Sequence, residues 1–245
     1  MNNQKPEPRS KSDGFQSLDV HSYFFTIQGE GPFAGHRAIF VRLAGCNLQC
    51  PGCDTEYTEG RKEASLFDIQ SKIDLLAQEH NAGTRQLQGP LLVVITGGEP
   101  LRQQIGPLVM NLVLAGYVVQ VESNGVFEPD PILTRYLVTR QAHTKLVVSP
   151  KTNRVHEVCS RLATCFKYVL DHREVAEDGL PIRALQHKAA GGVARPPNPF
   201  VPVYLNPFDA GNVEDNKKNL DAVARSCMKF GYIAGVQMHK LMNLE

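Results

Sequence analysis

Three cysteines fall within eight residues, in Cys46-Asn-Leu-Gln-Cys50-Pro-Gly-Cys53, separated by three residues and then by two. Thiolates gathered this closely suit a metal centre. A four-iron cluster bound through three of them keeps one iron without a protein ligand, and a small molecule could occupy that position. Two other readings compete. A structural zinc ion needs a fourth Cys or His to close its tetrahedron, here His36 or a more distant residue. Cys50 and Cys53 form a Cys-x-x-Cys pair suited to redox exchange, which leaves Cys46 without a role. Cys159, Cys165 and Cys227 lie in apolar stretches and are expected to fill core space.

The triplet follows an apolar strand, Ile39–Leu43, so it occupies the loop at that strand's C-terminal end. Strands are expected at Val20–Ile27, Ala38–Leu43, Leu91–Ile95, Tyr117–Val121, Lys145–Val148, Phe166–Val169, Val201–Leu205 and Ile233–Val236. Most are continuous apolar runs, as in strands covered on both faces. One helix starts at Ser65 as N-cap, with Leu66, Ile69, Ile73 and Leu76 making an apolar stripe. A second runs from Arg102 to Ala115, with Ile105, Leu108 and Leu112 inward and Gly116 as its stop. A third spans Glu214–Phe230, with Leu220, Val223, Cys227 and Phe230 on the buried face, and a shorter one lies near Val155–Ala163. Strands alternating with helices imply a mainly parallel sheet with right-handed crossovers. The helices are too few for eight β/α units. The expected fold class is therefore α/β, a partial, open TIM-like barrel of about six parallel strands and three main helices, with an N-terminal extension. Residues 18–245 form the one expected domain, and residues 1–17, polar and rich in Pro, Ser and Lys, read as a flexible tail. Residues 183–199, with Gly191-Gly192 and Pro196-Pro197, read as a loop insertion.

The 245 residues are 42% hydrophobic and 21% charged, with a formal net charge of +1, so no global field favours nucleic acid or anionic lipid. No apolar run approaches the roughly 18–20 residues that cross a bilayer. The opening stretch lacks the apolar centre of a secretory signal. The expectation is a cytoplasmic protein with no nucleic-acid or membrane partner.

The strand Leu91–Ile95 runs into Thr96-Gly97-Gly98-Glu99-Pro100. Two glycines admit a ligand close to the backbone, and Glu99 offers a carboxylate to an amine. A Cys-x3-Cys-x2-Cys loop followed by a Gly-Gly-Glu strand end resembles the radical S-adenosylmethionine superfamily. The resemblance implies a [4Fe-4S] cluster whose open iron chelates S-adenosylmethionine, which one electron cleaves to methionine and a 5′-deoxyadenosyl radical. Finer segments narrow it: Phe25-Thr-Ile-Gln-Gly-Glu-Gly31, Cys53-Asp54-Thr55, Glu122-Ser-Asn-Gly125, Ser149-Pro-Lys151, Tyr204-Leu-Asn-Pro-Phe-Asp209 and Gln237-Met-His-Lys240. From Leu18 to the end, the chain resembles the 7-carboxy-7-deazaguanine synthase family. That implies a lyase that contracts the ring of 6-carboxy-5,6,7,8-tetrahydropterin to 7-carboxy-7-deazaguanine and ammonia, in queuosine-type biosynthesis. S-adenosylmethionine would be regenerated, Mg²⁺ required, and electrons supplied by a donor such as flavodoxin or ferredoxin to a homodimer. A glycyl-radical activase would share the cysteine loop, but the Thr26–Gly31 segment argues against it.

Site residues follow from the resemblance, motif by motif. Cys46, Cys50 and Cys53 would ligate the cluster. Gly52, Cys53, Asp54, Gly98 and Glu99 would contact S-adenosylmethionine, as would Ser149, Pro150 and Lys151 and the run Asn206, Pro207, Phe208, Asp209. Ser123 and Asn124 are further candidates for that contact. Ile27, Gln28, Gly29, Arg42 and Thr96 match substrate positions, with Arg42 suited to a carboxylate through its bidentate fork. Thr55 matches the Mg²⁺ ligand, and the terminal carboxylate of Glu245 the family's C-terminal substrate contact. The chain departs from the family's Gln-Pro-Met-Asp at Asn206–Asp209 and from its Gln-Thr-His-Lys at Gln237–Lys240.

Overall fold

The computed structural model describes residues 3–53, 55–81, 90–185 and 191–244. The chain opens with β1 (Ser17–Ile27), β2 (Arg37–Leu43), the short β3 (Lys62–Ser65) and α1 (Leu66–Asn81). Strand and helix then alternate through β4 (Leu92–Gly97), α2 (Gly106–Leu114), β5 (Val118–Ser123), α3 (Pro131–Thr139), β6 (Thr144–Val148), α4 (Glu157–Leu162) and β7 (Cys165–Leu170). Last come β8 (Val203–Pro207), α5 (Val213–Phe230), the two-residue β9 (Ile233–Ala234) and α6 (Met238–Leu241).

Among the described residues nine strands join one sheet in the order β3-β1-β2-β4-β5-β6-β7-β8-β9, open at both ends. β1 runs antiparallel to both β2 and β3. Every pairing from β2 to β9 is parallel. The expected open, partial α/β barrel is the fold. The continuous apolar runs have the predicted cause: Ile39, Val41, Leu43, Val93, Ile95, Val119 and Val121 are wholly buried under Ile69, Ile73, Leu108 and Leu112 of the helices. Alternate residues of the same strands face the concave side, where a small apolar floor of Ala38, Leu92, Val94 and Val118 packs with Phe33 and Phe40.

Five elements and the N-terminal segment differ from the sequence expectation. The second helix begins at Gly106, not Arg102. The Glu99 carboxylate accepts from Leu101 N and closes a separate 3-10 turn over Pro100–Arg102, after which Gln103 is extended. On α5 the buried face is Asn219, Ala222, Val223 and Ser226, while Leu220 is 45% exposed. A polar side chain turns the helix: Asn219 donates to Phe208 O at 2.6 Å and accepts from His172 N at 2.8 Å, joining two loops. β3, α3 and the short α6 were not anticipated. The segment read as a free tail lies along the body of the molecule over residues 3–16, where Ser10 N bonds Arg102 O at 2.7 Å and Arg9 reaches Glu128 O at 2.8 Å. Within the insertion, Arg195 pairs with Asp178 at 2.7 Å, and residues 186–190 fall outside those described. Among the described residues no helix is long and apolar enough to cross a membrane.

Asp130 links two helix starts. One carboxylate oxygen caps α3 through Leu133 N at 2.9 Å, and the other accepts from Gly106 N at 2.8 Å at the start of α2. Both bonds are buried. Asp130→Ala removes a cap and orphans an N–H, so urea unfolding should show a loss of about 2–4 kcal/mol.

Candidate active site

The parallel strands all point one way, so the loops after β2, β4, β5, β6 and β8 share one rim, and a cavity of about 460 Å³ opens there. Its first wall is the cysteine loop, placed by backbone contact. A Cβ on Gly97 (φ 142°) would lie 2.1 Å from Leu43 O, and one on Gly98 would lie 2.2 Å from Gly45 O and 2.9 Å from the Cys46 Cβ. Side chains are excluded where the two strand ends meet. Gly98 N bonds Leu43 O and Glu99 N bonds Gly45 O, at 3.1 and 3.0 Å.

Cys46, Cys50 and Cys53 all line the cavity. As neutral thiols they turn to local partners, Cys53 toward Thr55 O at 3.8 Å and Cys46 toward Asn47 Oδ1 at 3.9 Å. Burial pushes the Cys46 thiol up to about 12 and raises Cys50 as well. Cluster ligation therefore displaces protons. Among the described residues no three His, Cys, Asp or Glu side chains form a ready metal-ligand set. His36, the nearest candidate to complete a zinc site, instead bonds Phe33 O at 3.1 Å and does not line the cavity.

The far wall is charged. Lys167, 7% exposed, bonds Glu30 and also Glu122, the latter at 3.0 Å. Glu122 accepts from Gln28 at 2.9 Å and from Gln120 at 2.8 Å, and Glu30 accepts from Gln237 at 2.6 Å. Burial alone would raise the Glu30 carboxyl, but the adjacent Lys167 ammonium and its hydrogen bonds hold it well below the usual carboxylate range. Arg42 lies over the Phe24 ring at 5.0 Å, beside Thr96 on the next strand. The C-terminal segment closes this side: Met238 N bonds Gly29 O at 3.1 Å and carries His239 and Lys240 into the wall.

Of the residues singled out in the sequence, Ile27, Gln28, Gly29, Arg42, Gly52, Thr55, Thr96, Gly98, Ser149, Lys151, Phe208 and Asp209 reach the cavity together with the cysteines. Glu99 does not. Its carboxylate is fully buried and accepts from Leu101 N, Ser123 Oγ and Asn124 N at 2.7–2.8 Å. Pro150, Asn206 and Pro207 stand behind the lining. Asp54 and Glu245 lie outside the described residues. Glu122 and Lys167 were given no role in the sequence, although each is a charge on the inward face of a buried strand, and that pattern could have found them.

The family model described as a 4Fe-4S single cluster domain matches residues 27–124. A 7-carboxy-7-deazaguanine synthase of Rhodospirillum rubrum is 38% identical, over 98% of this chain and 96% of the relative. One of Rickettsia prowazekii is 33% identical, over 93% and 89%. The chain belongs to the 7-carboxy-7-deazaguanine synthase family. The crystal structure of QueE from Escherichia coli shares the fold, with a TM-score of 0.58 over 90% of this chain and 93% of that one at 21% identity.

The cavity fits the groups the family implies. Three thiols on one loop suit an iron–sulfur cluster with an open iron. Beside them the buried Ser149 Oγ, on the cavity lining, has no hydrogen-bond partner among the described residues. Unpaired buried polar atoms are costly unless a ligand meets them. Lys151, whose ammonium burial disfavours, donates to Ser149 O at 3.0 Å.

Three outcomes follow for a protein of the 7-carboxy-7-deazaguanine synthase family built this way. Gly98→Ala forces the strand end off the cysteine loop. Stability should fall by about 1–3 kcal/mol, and iron and sulfide content after reconstitution should fall with it. The second concerns the charged wall. Because the folded Glu30 value lies below its ordinary 4.5, its stabilisation is complete above that pH and lost as pH falls through the folded value. Thermal melting below pH 4.5 should therefore fall more steeply for the parent than for Glu30→Gln. Lys167→Met, which strands two buried carboxylates, should cost about 3–5 kcal/mol at neutral pH.

Proposed function

We propose that the chain is a radical S-adenosylmethionine lyase that contracts 6-carboxy-5,6,7,8-tetrahydropterin to 7-carboxy-7-deazaguanine with release of ammonia. The observation that carries this reading is one cavity lined both by three cysteine thiols and by the paired charges of Lys167, Glu30 and Glu122. Substrate and product differ by one ammonia, so the reaction is redox-neutral overall and S-adenosylmethionine is regenerated. When bound, the cluster and S-adenosylmethionine supply a carbon radical that takes a hydrogen atom from C6 of the pterin.

The protein's own residues do the rest. Cys46, Cys50 and Cys53 hold the cluster, and Gly98, Ser149 and Lys151 border the nucleoside cofactor. Arg42, stiffened against Phe24, takes the substrate carboxylate through a charge-assisted fork. Glu30 and Glu122 are acceptors for the pterin amino group and ring N–H, while Gln28 and Thr96 fix the ring between them. Thr55 offers a hard oxygen for Mg²⁺, which wants oxygen ligands and shares the substrate's. Phe24, Phe40 and Tyr57 line the same cavity and shield it from water. A flavodoxin or ferredoxin delivers the electron to a cytoplasmic homodimer, and the product enters queuosine-type biosynthesis.

Anaerobically reconstituted protein, given the carboxypterin, S-adenosylmethionine, Mg²⁺ and a reductant, should release carboxydeazaguanine with no net loss of S-adenosylmethionine. A fully loaded, reducible cluster that yields no product would refute the assignment. In the same assay Arg42→Lys should lower kcat/KM by about tenfold to a hundredfold, the worth of a charged bidentate contact.

A further inference from the structure

We infer that the N-terminal segment, residues 3–10, is a positioning strap that sets the geometry of the cysteine loop from outside the cavity. This rests on the cluster-bearing reading above. The loop from Cys46 to Thr55 has two ends, and the strap holds both. Glu7 N donates to Cys46 O at 2.7 Å. Three residues earlier, the Gln4 side chain donates to Thr55 O at 2.9 Å and accepts from Tyr57 N at 2.8 Å. One amide thus satisfies a backbone acceptor and a backbone donor on opposite sides of Glu56, as a neighbouring strand would.

The strap is itself anchored to the core. Glu7 bridges Arg61 at 2.6 Å and Arg102 at 3.4 Å, and Arg102 is 5% exposed. The same guanidinium donates to Pro8 O at 3.2 Å and to Ala44 O at 3.1 Å, two residues before Cys46. Tyr57, 1% exposed, completes the arrangement by donating to Leu48 O at 3.3 Å, while Gly45 N bonds Tyr57 O at 2.9 Å. None of the strap residues lines the cavity. Their effect on chemistry must therefore pass through the placement of Cys46 and Thr55 and not through contact with a ligand. A loop held at both ends loses less entropy when it closes on a cluster, so the strap favours retention.

Three variants separate this from simple stability: Gln4→Leu, which removes the amide; Glu7→Pro, which removes the N–H to Cys46 O; and Glu7→Ala, which keeps that N–H and loses the ion pairs. Hydrogen exchange of the loop amides is read on the apoprotein. Cluster half-life under chelator, read by visible absorbance with iron and sulfide content, is taken on the reconstituted protein. Gln4→Leu and Glu7→Pro should shorten the half-life about fivefold to tenfold and speed exchange at residues 45–57, with Glu7→Ala affected less. Unchanged exchange and half-life in Gln4→Leu and Glu7→Pro would overturn the inference. So would faster cluster loss matched by an equal fall in apoprotein melting temperature in all three variants. A parent that takes up no cluster would instead defeat the proposed function, while the exchange data would still show whether the strap orders the loop.

Discussion

At the rim of the sheet, β2 and β4 meet backbone to backbone. Leu43 O and N lie 2.1 and 2.5 Å from where a Cβ on Gly97 would stand, and Gly45 O crowds Gly98 in the same way. Because no side chain separates the strands there, the chain leaving β2 is fixed within a hydrogen bond of the chain leaving β4. Cys46 then has one place to begin its loop. The parallel direction of β2 through β9 does the rest, since each strand delivers its following loop to the same edge. The cavity is thus a consequence of strand direction, and its thiol wall a consequence of two glycines.

The charged wall obeys a different logic. Lys167, Glu30 and Glu122 lie where the inward face of the sheet would be more stable if it were apolar, because desolvating three charges offsets most of their attraction. The fold tolerates them because each is paired: Lys167 bridges both carboxylates, and Gln28, Gln120 and Gln237 occupy further lone pairs. A network that contributes so little to folding is explained by what it presents to a ligand. Fixed acceptors and donors recognise a polar heterocycle without first reorganising.

Much of this was legible in the sequence, and the misses share a cause. Continuous apolar runs such as Leu92–Ile95 located the parallel strands because burial on both faces leaves no polar positions. The Ser65 cap was readable because it is local: Asp68 N bonds Ser65 Oγ at 3.1 Å. Asp130-Pro131 carries the same kind of local signal for α3, an N-cap followed by proline at the first helical position. Leu220 was assigned inward on hydrophobicity alone, whereas the burial of α5 is set by Asn219, whose partners Phe208 and His172 are distant in sequence. The strap was read as a tail for the same reason. Its composition is that of a disordered segment, and only its contacts with Cys46, Thr55 and Arg102, far along the chain, give it order.

Motifs also mix residues that meet a ligand with residues that hold those residues still. Gly-Gly-Glu is the clearest case. Gly98 lines the cavity, but Glu99 lies beneath the lining and joins β4 to β5 through Ser123 Oγ and Asn124 N. Asn124 in turn donates to Asn47 Oδ1 at 2.8 Å, inside the cysteine loop. Burial raises the Glu99 carboxyl, which works against presenting a charge. The same residue is nonetheless indispensable to the site's shape, because it ties the loops after β2, β4 and β5 into one frame. Glu99 therefore acts on the cavity through the backbone it fixes, and Gln4 and Glu7 bond the same loop from its other side.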